Sequence, residues 1–205
     1  MNEMKEFYFL RHGATGDDDG LPIFKGRVDC PLTAAGESQA IAASTYFSRM
    51  RPGAVFTSPL IRAKETARLI CETAGLPMPV AASELTDIDC GEWEGRSVSE
   101  ISSACPESFG RWAGDPGTFT MPGGESVAGV QKRAFSFVSG LLANPEKKIL
   151  IVTHRMLINV IVLAALGAGL DLYWKFSYGE NCGITRLKHD GKRFFLDLMN
   201  SPAGA

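Results

Sequence analysis

Two apolar runs of the chain, Phe7–Leu10 and Ile149–Val152, contain no charged residue. This pattern is typical of strands that are buried on both faces of a sheet. The first run leads into Arg11 and His12, and the second leads through a threonine into His154. Ligands of an open α/β sheet bind beyond the carboxyl ends of its strands. The pattern therefore predicts an anion site at these strand ends, with phosphate as the first candidate.

Helical and extended patterns alternate along the rest of the chain. Apolar spacing and capping signals predict helices at about 33–50, 60–74, 125–142 and 154–166, and a short one from Ser97. Further strands are predicted at 54–57 and 79–82, with a hairpin that pairs 184–187 with 194–198. The alternation indicates an α/β fold with a mostly parallel sheet. We expect a single domain over residues 1–205, in three α/β/α layers, with residues 201–205 as a disordered tail.

The composition is that of an ordinary soluble globular protein, with 205 residues, a net charge of −2 and 45% hydrophobic residues. There is no basic surplus for nucleic acid. The N-terminus lacks a signal region and the most apolar stretch, 156–166, is too short to span a bilayer, so no membrane partner is expected. Five cysteines without a CxxC pair argue against a disulfide framework and a zinc site. They favour a cytoplasmic setting, and no metal or organic cofactor is implied.

Short motifs accompany the two histidines in a fixed order along nearly the whole chain. They are Leu10-Arg11-His12-Gly13-Ala14-Thr15, Asp29-Cys30-Pro31-Leu32-Thr33, Thr57-Ser58-Pro59-Leu60 with Arg62, Leu85-Thr86-Asp87, Gly91-Glu92-Trp93-Glu94-Gly95, Pro122-Gly123-Gly124-Glu125-Ser126 and Val152-Thr153-His154. From about residue 7 to residue 198, this series resembles the histidine phosphatase superfamily, the phosphoglycerate-mutase-like proteins. The resemblance implies the fold of that family as well as its chemistry.

The resemblance implies that His12 attacks phosphorus and forms a covalent phosphohistidine. A backbone carbonyl is expected to hold the other ring nitrogen and so fix the tautomer. Arg11, Arg62 and His154 are implied to clamp the phosphoryl oxygens, for which a planar guanidinium is well suited. The glycine after the histidine allows a sharp turn, and we expect residues 13 and 15 (Gly13 and Thr15) to contribute to the phosphate site.

The proton donor is expected to be Asp87, where the family usually has a glutamate. An aspartate is one methylene shorter, so Asp89, Glu92 and Glu94 stay open as alternatives. Asp18 stands where the family commonly has an asparagine that touches the phosphate, and its carboxylate would repel the ligand unless it points away. Arg155 follows the second histidine, where the family usually has a small residue; a substrate contact and a surface role are both open.

The segment Gly91–Gly95 has the form found in the phosphatase branches of the family, such as the alpha-ribazole and broad-specificity phosphatases. We therefore predict hydrolysis of a small phosphorylated metabolite, for which alpha-ribazole 5′-phosphate is one candidate. Phosphoglycerate mutase activity and a catalytically weak phosphate-binding module are the alternatives. A serine hydrolase, suggested by Gly124–Ala128, is disfavoured because no strand precedes that segment. The only partner expected is the phosphomonoester, with homodimerisation left open, and the acids Asp17–Asp19 predict poor turnover of highly anionic substrates.

Overall fold

The computed structural model describes residues 4–16, 22–176 and 179–202, which form six strands and six α-helices. The strands are β1 Lys5–Arg11, β2 Ala54–Thr57, β3 Val80–Ala81, β4 Lys148–Thr153, β5 Ile184–His189 and β6 Phe194–Ser201. The helices are α1 Ala34–Met50, α2 Ile61–Ala74, α3 Val98–Ala104, α4 Pro106–Gly114, α5 Val127–Gly140 and α6 Arg155–Ala165. Short 3-10 turns lie between them, among them Leu170–Lys175 before β5.

The strands form one sheet in the order β3-β2-β4-β1-β5-β6. The first four are parallel, and β5 and β6 join antiparallel on the far side of β1. Helices α1 and α2 cover one face, while α5 and α6 cover the other. The predicted α/β fold with a mostly parallel sheet is thereby confirmed.

Strand β1 lies in the middle of the sheet, and its side chains alternate between the two covered faces. Phe7 and Phe9 are fully buried in the apolar cluster beneath α5 and α6. Tyr8 and Leu10 are fully buried in the cluster beneath α1 and α2. An apolar side chain at every position is therefore needed, which explains why the sequence shows an unbroken run rather than an alternation.

The register of β1 against β4 pairs Arg11 with Thr153. Each strand ends at this pair, so the following residues, His12 and His154, emerge side by side at the same edge of the sheet. The backbone amide of His12 donates to the carbonyl of Thr153 at 3.0 Å, which fixes this arrangement. Ser58, which follows β2, is held next to them because its amide donates to the carbonyl of Val152 at 2.9 Å.

The predicted element boundaries need a few corrections. Strand β6 continues through Ser201, which pairs with Ile184, so the prediction of a disordered tail is wrong at this residue. His189 ends β5 and is half-buried against Phe194. The capping box at Ser97 is present at the start of α3. The acids Asp17–Asp19 lie outside the described residues.

Among the described residues, the structure contains no helix with the length and apolar character needed to cross a membrane. The five cysteines are all free, and three of them are buried. Ser126, the candidate of the serine hydrolase alternative, is the N-cap of α5 and accepts a hydrogen bond from the amide of Gly129. Its role as a helix cap agrees with the absence of a preceding strand in that segment.

Candidate active site

A pocket of about 590 Å³ opens at the carboxyl ends of β1 and β4. Four of the predicted site residues line it: Arg11, His12, Asp87 and His154. Arg62 is fully buried immediately behind His12, at the start of α2. The sheet thus gathers side chains from opposite ends of the chain into one place.

The His12 ring is 4% exposed and its two nitrogens have different partners. Nδ1 lies 2.8 Å from the carbonyl oxygen of Gly13, which can only accept, so Nδ1 carries the proton. Nε2 therefore keeps a lone pair, which accepts from Nε of Arg62 at 3.3 Å. Burial, then the neighbouring His154 and the guanidinium groups of Arg62 and Arg11, hold the pKa of His12 well below its usual value. The ring is neutral at pH 7 and presents an unprotonated nitrogen.

Gly13 makes the turn after β1 without contributing a free amide to the pocket. Its N–H donates to Oγ1 of Thr66 at 3.0 Å, and Thr66 in turn donates to the carbonyl of Arg62 at 2.7 Å. A Cβ at position 13 would lie 2.5 Å from the carbonyl oxygen of Gly36, so only glycine fits against helix α1. Thr15 is also buried and accepts a hydrogen bond from Lys25, whose side chain lines the pocket.

The guanidinium of Arg62 is held by four acceptors around it. Nη1 donates to the carbonyl of Val28 and Nη2 to that of Gly26, each at 2.8 Å. Nη2 also lies 3.4 Å from Oδ2 of Asp87. The arginine therefore connects the His12 ring, the loop after Gly26 and the Asp87 carboxylate, and its position is fixed from three sides.

The His154 ring is 1% exposed, and its centroid lies 5.3 Å from that of His12. Nε2 is 2.8 Å from Oγ of Ser58, whereas Nδ1 has no hydrogen-bond partner within the described part of the chain. Nδ1 is 3.6 Å from Oδ2 of Asp87. Burial, followed by the charges of Arg62 and Arg11, lowers the pKa of His154 well below its usual value. Because His154 is also the N-cap of α6, the helix dipole favours an anion at this point.

Asp87 is the one carboxylate among the described residues that lines the pocket. The alternatives for the proton donor are occupied or turned away. Asp89 pairs with Arg27 at 3.1 Å, and Glu94 accepts from the backbone amides of Arg27 and Cys90 at 2.7 and 3.2 Å. Glu92 is exposed. Arg11 and Arg155 line the pocket as well, and Nη1 of Arg11 donates to the carbonyl of Gly179 at 2.8 Å.

An ion pair behind the pocket supports the segment that carries Asp87. Arg133 of α5 donates to Glu125 through Nε and Nη2 at 3.0 and 2.9 Å. Its terminal nitrogens also donate to the backbone carbonyls of Glu84 and Asp87, at 2.7 and 3.2 Å. Although burial opposes it, the hydrogen bonds from Arg133 and from the Asp89 amide lower the pKa of Glu125. In the sequence, Glu125 is visible only as part of the motif Pro122-Gly123-Gly124-Glu125-Ser126, and no sequence signal identifies Arg133.

Besides the histidines, a set of largely aromatic side chains that the sequence did not predict lines the pocket. It consists of side chains from α4, the 3-10 turn at 170–175 and the loops before α1 and α5, chiefly Phe24, Phe109, Trp112, Met121, Tyr173 and Trp174. We call these six side chains the aromatic wall. Among the described residues, no group of three or more His, Cys, Asp or Glu side chains could hold a metal ion.

Comparisons with known proteins all identify phosphatases as similar to this chain. A family model described as histidine phosphatase superfamily (branch 1) matches residues 7–202. The chain is 30% identical over 202 residues to phosphoserine phosphatase 1 of Hydrogenobacter thermophilus, covering 96% of this chain and 92% of that protein. It is 28% identical to the adenosylcobalamin/alpha-ribazole phosphatase of Escherichia coli, covering 96% of both. A solved mycobacterial glucosyl-3-phosphoglycerate phosphatase in complex with inorganic phosphate has a TM-score of 0.86 and 26% identity, covering 98% of this chain and 99% of that one.

Proposed function

The chain belongs to the histidine phosphatase superfamily and is a phosphatase, and we propose that it hydrolyses small phosphomonoesters through a covalent phosphohistidine on His12. The observation that carries the proposal is the state of the His12 ring. Its Nδ1 proton is committed to the Gly13 carbonyl, and its Nε2 lone pair lies within a pocket edge rich in cations. A neutral imidazole oriented in this way is a competent nucleophile toward phosphorus.

In the first step, Nε2 of His12 attacks phosphorus and the bond to the ester oxygen breaks. Arg11 and Arg62 neutralise charge on the equatorial oxygens, since phosphoryl transfer depends mainly on positioning and electrostatic stabilisation. The Ser58 hydroxyl donates to Nε2 of His154, which leaves Nδ1–H to donate to a phosphoryl oxygen. That role accounts for the lack of a partner at this buried nitrogen among the residues that the structure describes.

Asp87 supplies the proton that the departing alkoxide requires. Its Oδ2 atom lies close to both Arg62 and His154, so it faces the position where the ester oxygen would leave. In the second step, the Asp87 carboxylate takes a proton from water, whose oxygen attacks the phosphohistidine and releases inorganic phosphate. The first reaction transfers the proton to the alcohol and the second restores it, so the enzyme returns to its initial state.

The identity of the alcohol is the finer part of the proposal. Alpha-ribazole 5′-phosphate is supported by the name of the Escherichia coli relative, and phosphoserine by that of the Hydrogenobacter relative. We place the enzyme in the cytoplasm, in keeping with five free cysteines. Nucleic acid is not proposed as a substrate, given the slightly negative net charge.

Trapping the intermediate tests the mechanism directly. The protein is mixed with a ³²P-labelled phosphomonoester and denatured at alkaline pH, because phosphohistidine is labile in acid. We expect label on the native protein and none on His12→Ala, with turnover reduced by roughly 10³–10⁶-fold while the circular dichroism spectrum is unchanged. His189→Ala, a histidine on the far hairpin, is the control and should keep both label and turnover. Binding of phosphate without any label would instead identify a binding module.

A further inference from the structure

Helix α1 begins beside the loop that carries the nucleophile, and residues at its start hold that loop. The backbone amide and the hydroxyl of Thr33 donate to the carbonyl of Ala14 at 3.0 and 3.3 Å. Gly36 allows this close approach, because a Cβ there would lie 2.2 Å from the same carbonyl oxygen. Three residues further along, Oε1 of Gln39 accepts a hydrogen bond from the Ala14 amide at 2.8 Å. The spacing of three residues brings all three onto neighbouring positions of the helix surface, against the segment that follows His12.

The peptide group that joins Gly13 to Ala14 has a hydrogen bond at each end. Its N–H, which belongs to Ala14, donates to Gln39, and its carbonyl, which belongs to Gly13, accepts from Nδ1 of His12 at 2.8 Å. A trans peptide group is planar, and its N–H and C=O point in opposite directions. A bond that fixes the N–H therefore also fixes the direction of the carbonyl. The orientation of the nucleophile thus depends on a side chain of helix α1.

Resting on the proposed function, we propose that Gln39 is a positioning residue for the nucleophile and acts on His12 through the Gly13–Ala14 peptide group. The imidazole, the peptide group and the Gln39 amide form a chain of hydrogen bonds that all run in one direction, and each bond polarises the next. The Gly13 carbonyl becomes a stronger acceptor, which keeps the proton on Nδ1 and makes Nε2 the better nucleophile.

The position of Gln39 separates this role from substrate binding. Gln39 is half-buried on α1 and is not among the described residues that line the pocket, so its effect on the chemistry passes through the loop. The preceding peptide group has its own support, because the Gly13 amide donates to Oγ1 of Thr66 at 3.0 Å. Loss of the Gln39 bond should therefore loosen the middle peptide group and leave the rest of the loop in place.

Two substitutions at this position test the proposal. Gln39→Leu removes the acceptor at similar size, whereas Gln39→Glu keeps an acceptor and adds charge to it. Rapid-quench transfer of ³²P from a labelled phosphomonoester to the protein gives the rate of the first chemical step. We expect Gln39→Leu to slow it by about tenfold, as for the outer partners of other functional imidazoles, and Gln39→Glu to restore it. The calorimetric dissociation constant of inorganic phosphate should change by less than about twofold, since the clamp of cations is intact.

The chain contains a matched control for the loss of a glutamine. Gln131 is half-buried on α5, and its Nε2 donates to the backbone carbonyl of Val160 at 3.1 Å. Gln131→Leu removes a side-chain bond to the backbone of another element, as Gln39→Leu does, but not one next to the nucleophile. It should leave the rate of label transfer unchanged. Gln39→Glu that is as slow as Gln39→Leu, or Gln39→Leu that is as fast as the native protein, would overturn the proposal.

A spectroscopic measurement tests the same inference without turnover. The chain has three histidines, so ¹⁵N-labelled imidazoles give few signals, and His12→Ala identifies those of His12. We expect the Nδ1 proton of His12 to exchange with water about tenfold faster in Gln39→Leu than in the native protein, and at the native rate in Gln39→Glu and Gln131→Leu. Unchanged exchange in Gln39→Leu would contradict the proposal even if label transfer is slow. If the native protein takes up no label, the proposed function fails, and the exchange rates alone decide whether Gln39 holds the ring.

Discussion

The phosphate end of the pocket and the aromatic wall are built in different ways. At the phosphate end, His12 and His154 follow directly on paired parallel strands, and a network of backbone carbonyls and amides holds their neighbours. Most of the aromatic wall instead comes from the short helix α4 and the 3-10 turn 170–175, whose rings contact one another, and Phe24 and Met121 join it from loops. This difference indicates that the sheet holds the two histidines in place, whereas the side chains of the aromatic wall can differ among enzymes with different substrates. The predictions below test that separation.

Of the predictions in this comparison, the largest effect is expected at Asp87, which lines the pocket next to Arg62 and His154. Asp87→Asn removes the proposed proton donor, so turnover of alkyl phosphates should fall by roughly 10²–10⁴-fold. p-Nitrophenyl phosphate, whose leaving group needs no proton, should be affected much less. The difference between the losses on the two substrates measures the contribution of proton donation by Asp87, separately from its contribution to binding. Glu92→Gln serves as the control, because Glu92 is exposed and outside the pocket. An equal loss on both substrates would show that Asp87 is not the acid.

A smaller effect is expected from the ion pair behind Asp87. Glu125→Gln weakens the hold on Arg133, which supports the backbone at Glu84 and Asp87. We expect kcat for alkyl phosphates to fall by about tenfold and kcat for p-nitrophenyl phosphate to fall less, since a displaced acid matters only where a proton is needed. This selectivity distinguishes a positioning role from general destabilisation.

The chain offers a matched control for that ion pair. Arg68 and Glu72 form an exposed pair one helical turn apart on α2, and such surface pairs contribute little. Glu72→Gln should therefore leave both substrates unchanged. A uniform loss in Glu125→Gln on both substrates would mean that the phosphate end depends on this network for its fold rather than for the position of the acid.

The smallest effect is on stability. The pH dependence of the free energy of unfolding tests whether the buried rings of His12 and His154 stay unprotonated in the folded protein. The folded pKa values of His12 and His154 lie well below the unfolded value of about 6.5. As pH falls below about 6.5, His12 and His154 therefore bind protons in the unfolded chain but not in the folded chain. Above that pH, both histidines are neutral in both states, so they should cause no loss in the free energy of unfolding. Below it, the loss should be about 1.4 kcal/mol per pH unit for each histidine until the folded pKa is reached.

Urea denaturation from pH 7.5 to pH 5.0 measures this dependence. His12→Gln and His154→Gln should each remove about one proton from the slope, and the double variant about two. Carboxylates contribute to the slope in every protein compared, so the differences between variants carry the result. Slopes that do not differ from that of the native protein would mean that the imidazoles are protonated in the folded state.

The sequence predicted the phosphate end better than the aromatic wall, and the reason is physical. Continuous apolar runs ending in His12 and His154 identify buried strands, and strand ends determine where their next residues lie. Asp87 and Arg62 were assigned through the family resemblance, and the structure places Arg62 beside His12 and Asp87 beside His154. Whether each acts as proposed stays a prediction.

The aromatic wall and the Arg133 ion pair left no comparable signal in the sequence. Trp112 and Trp174 contact each other because α4 and the later 3-10 turn pack together. Neither segment has a hydrophobic periodicity from which this contact could be predicted. Arg133 lies on the amphipathic helix α5, where a charged side chain is expected on the face exposed to solvent. The end of β6 was placed too early because Ser201 and the proline after it are typical of a tail, whereas pairing with β5 extends the strand.

The central position of β1 also has a consequence for synthesis on the ribosome. The strand that leads into His12 is made before the other five strands of the sheet, yet its sheet partners are β4 and β5, which come much later in the chain. No pairing of β1 can form until most of the polypeptide has emerged, and such distant contacts form slowly. During that interval an apolar strand with two unpaired edges is exposed, which is a hazard for aggregation. The strand order that unites the two histidines therefore makes the nascent chain dependent on protection until β4 and β5 have been made.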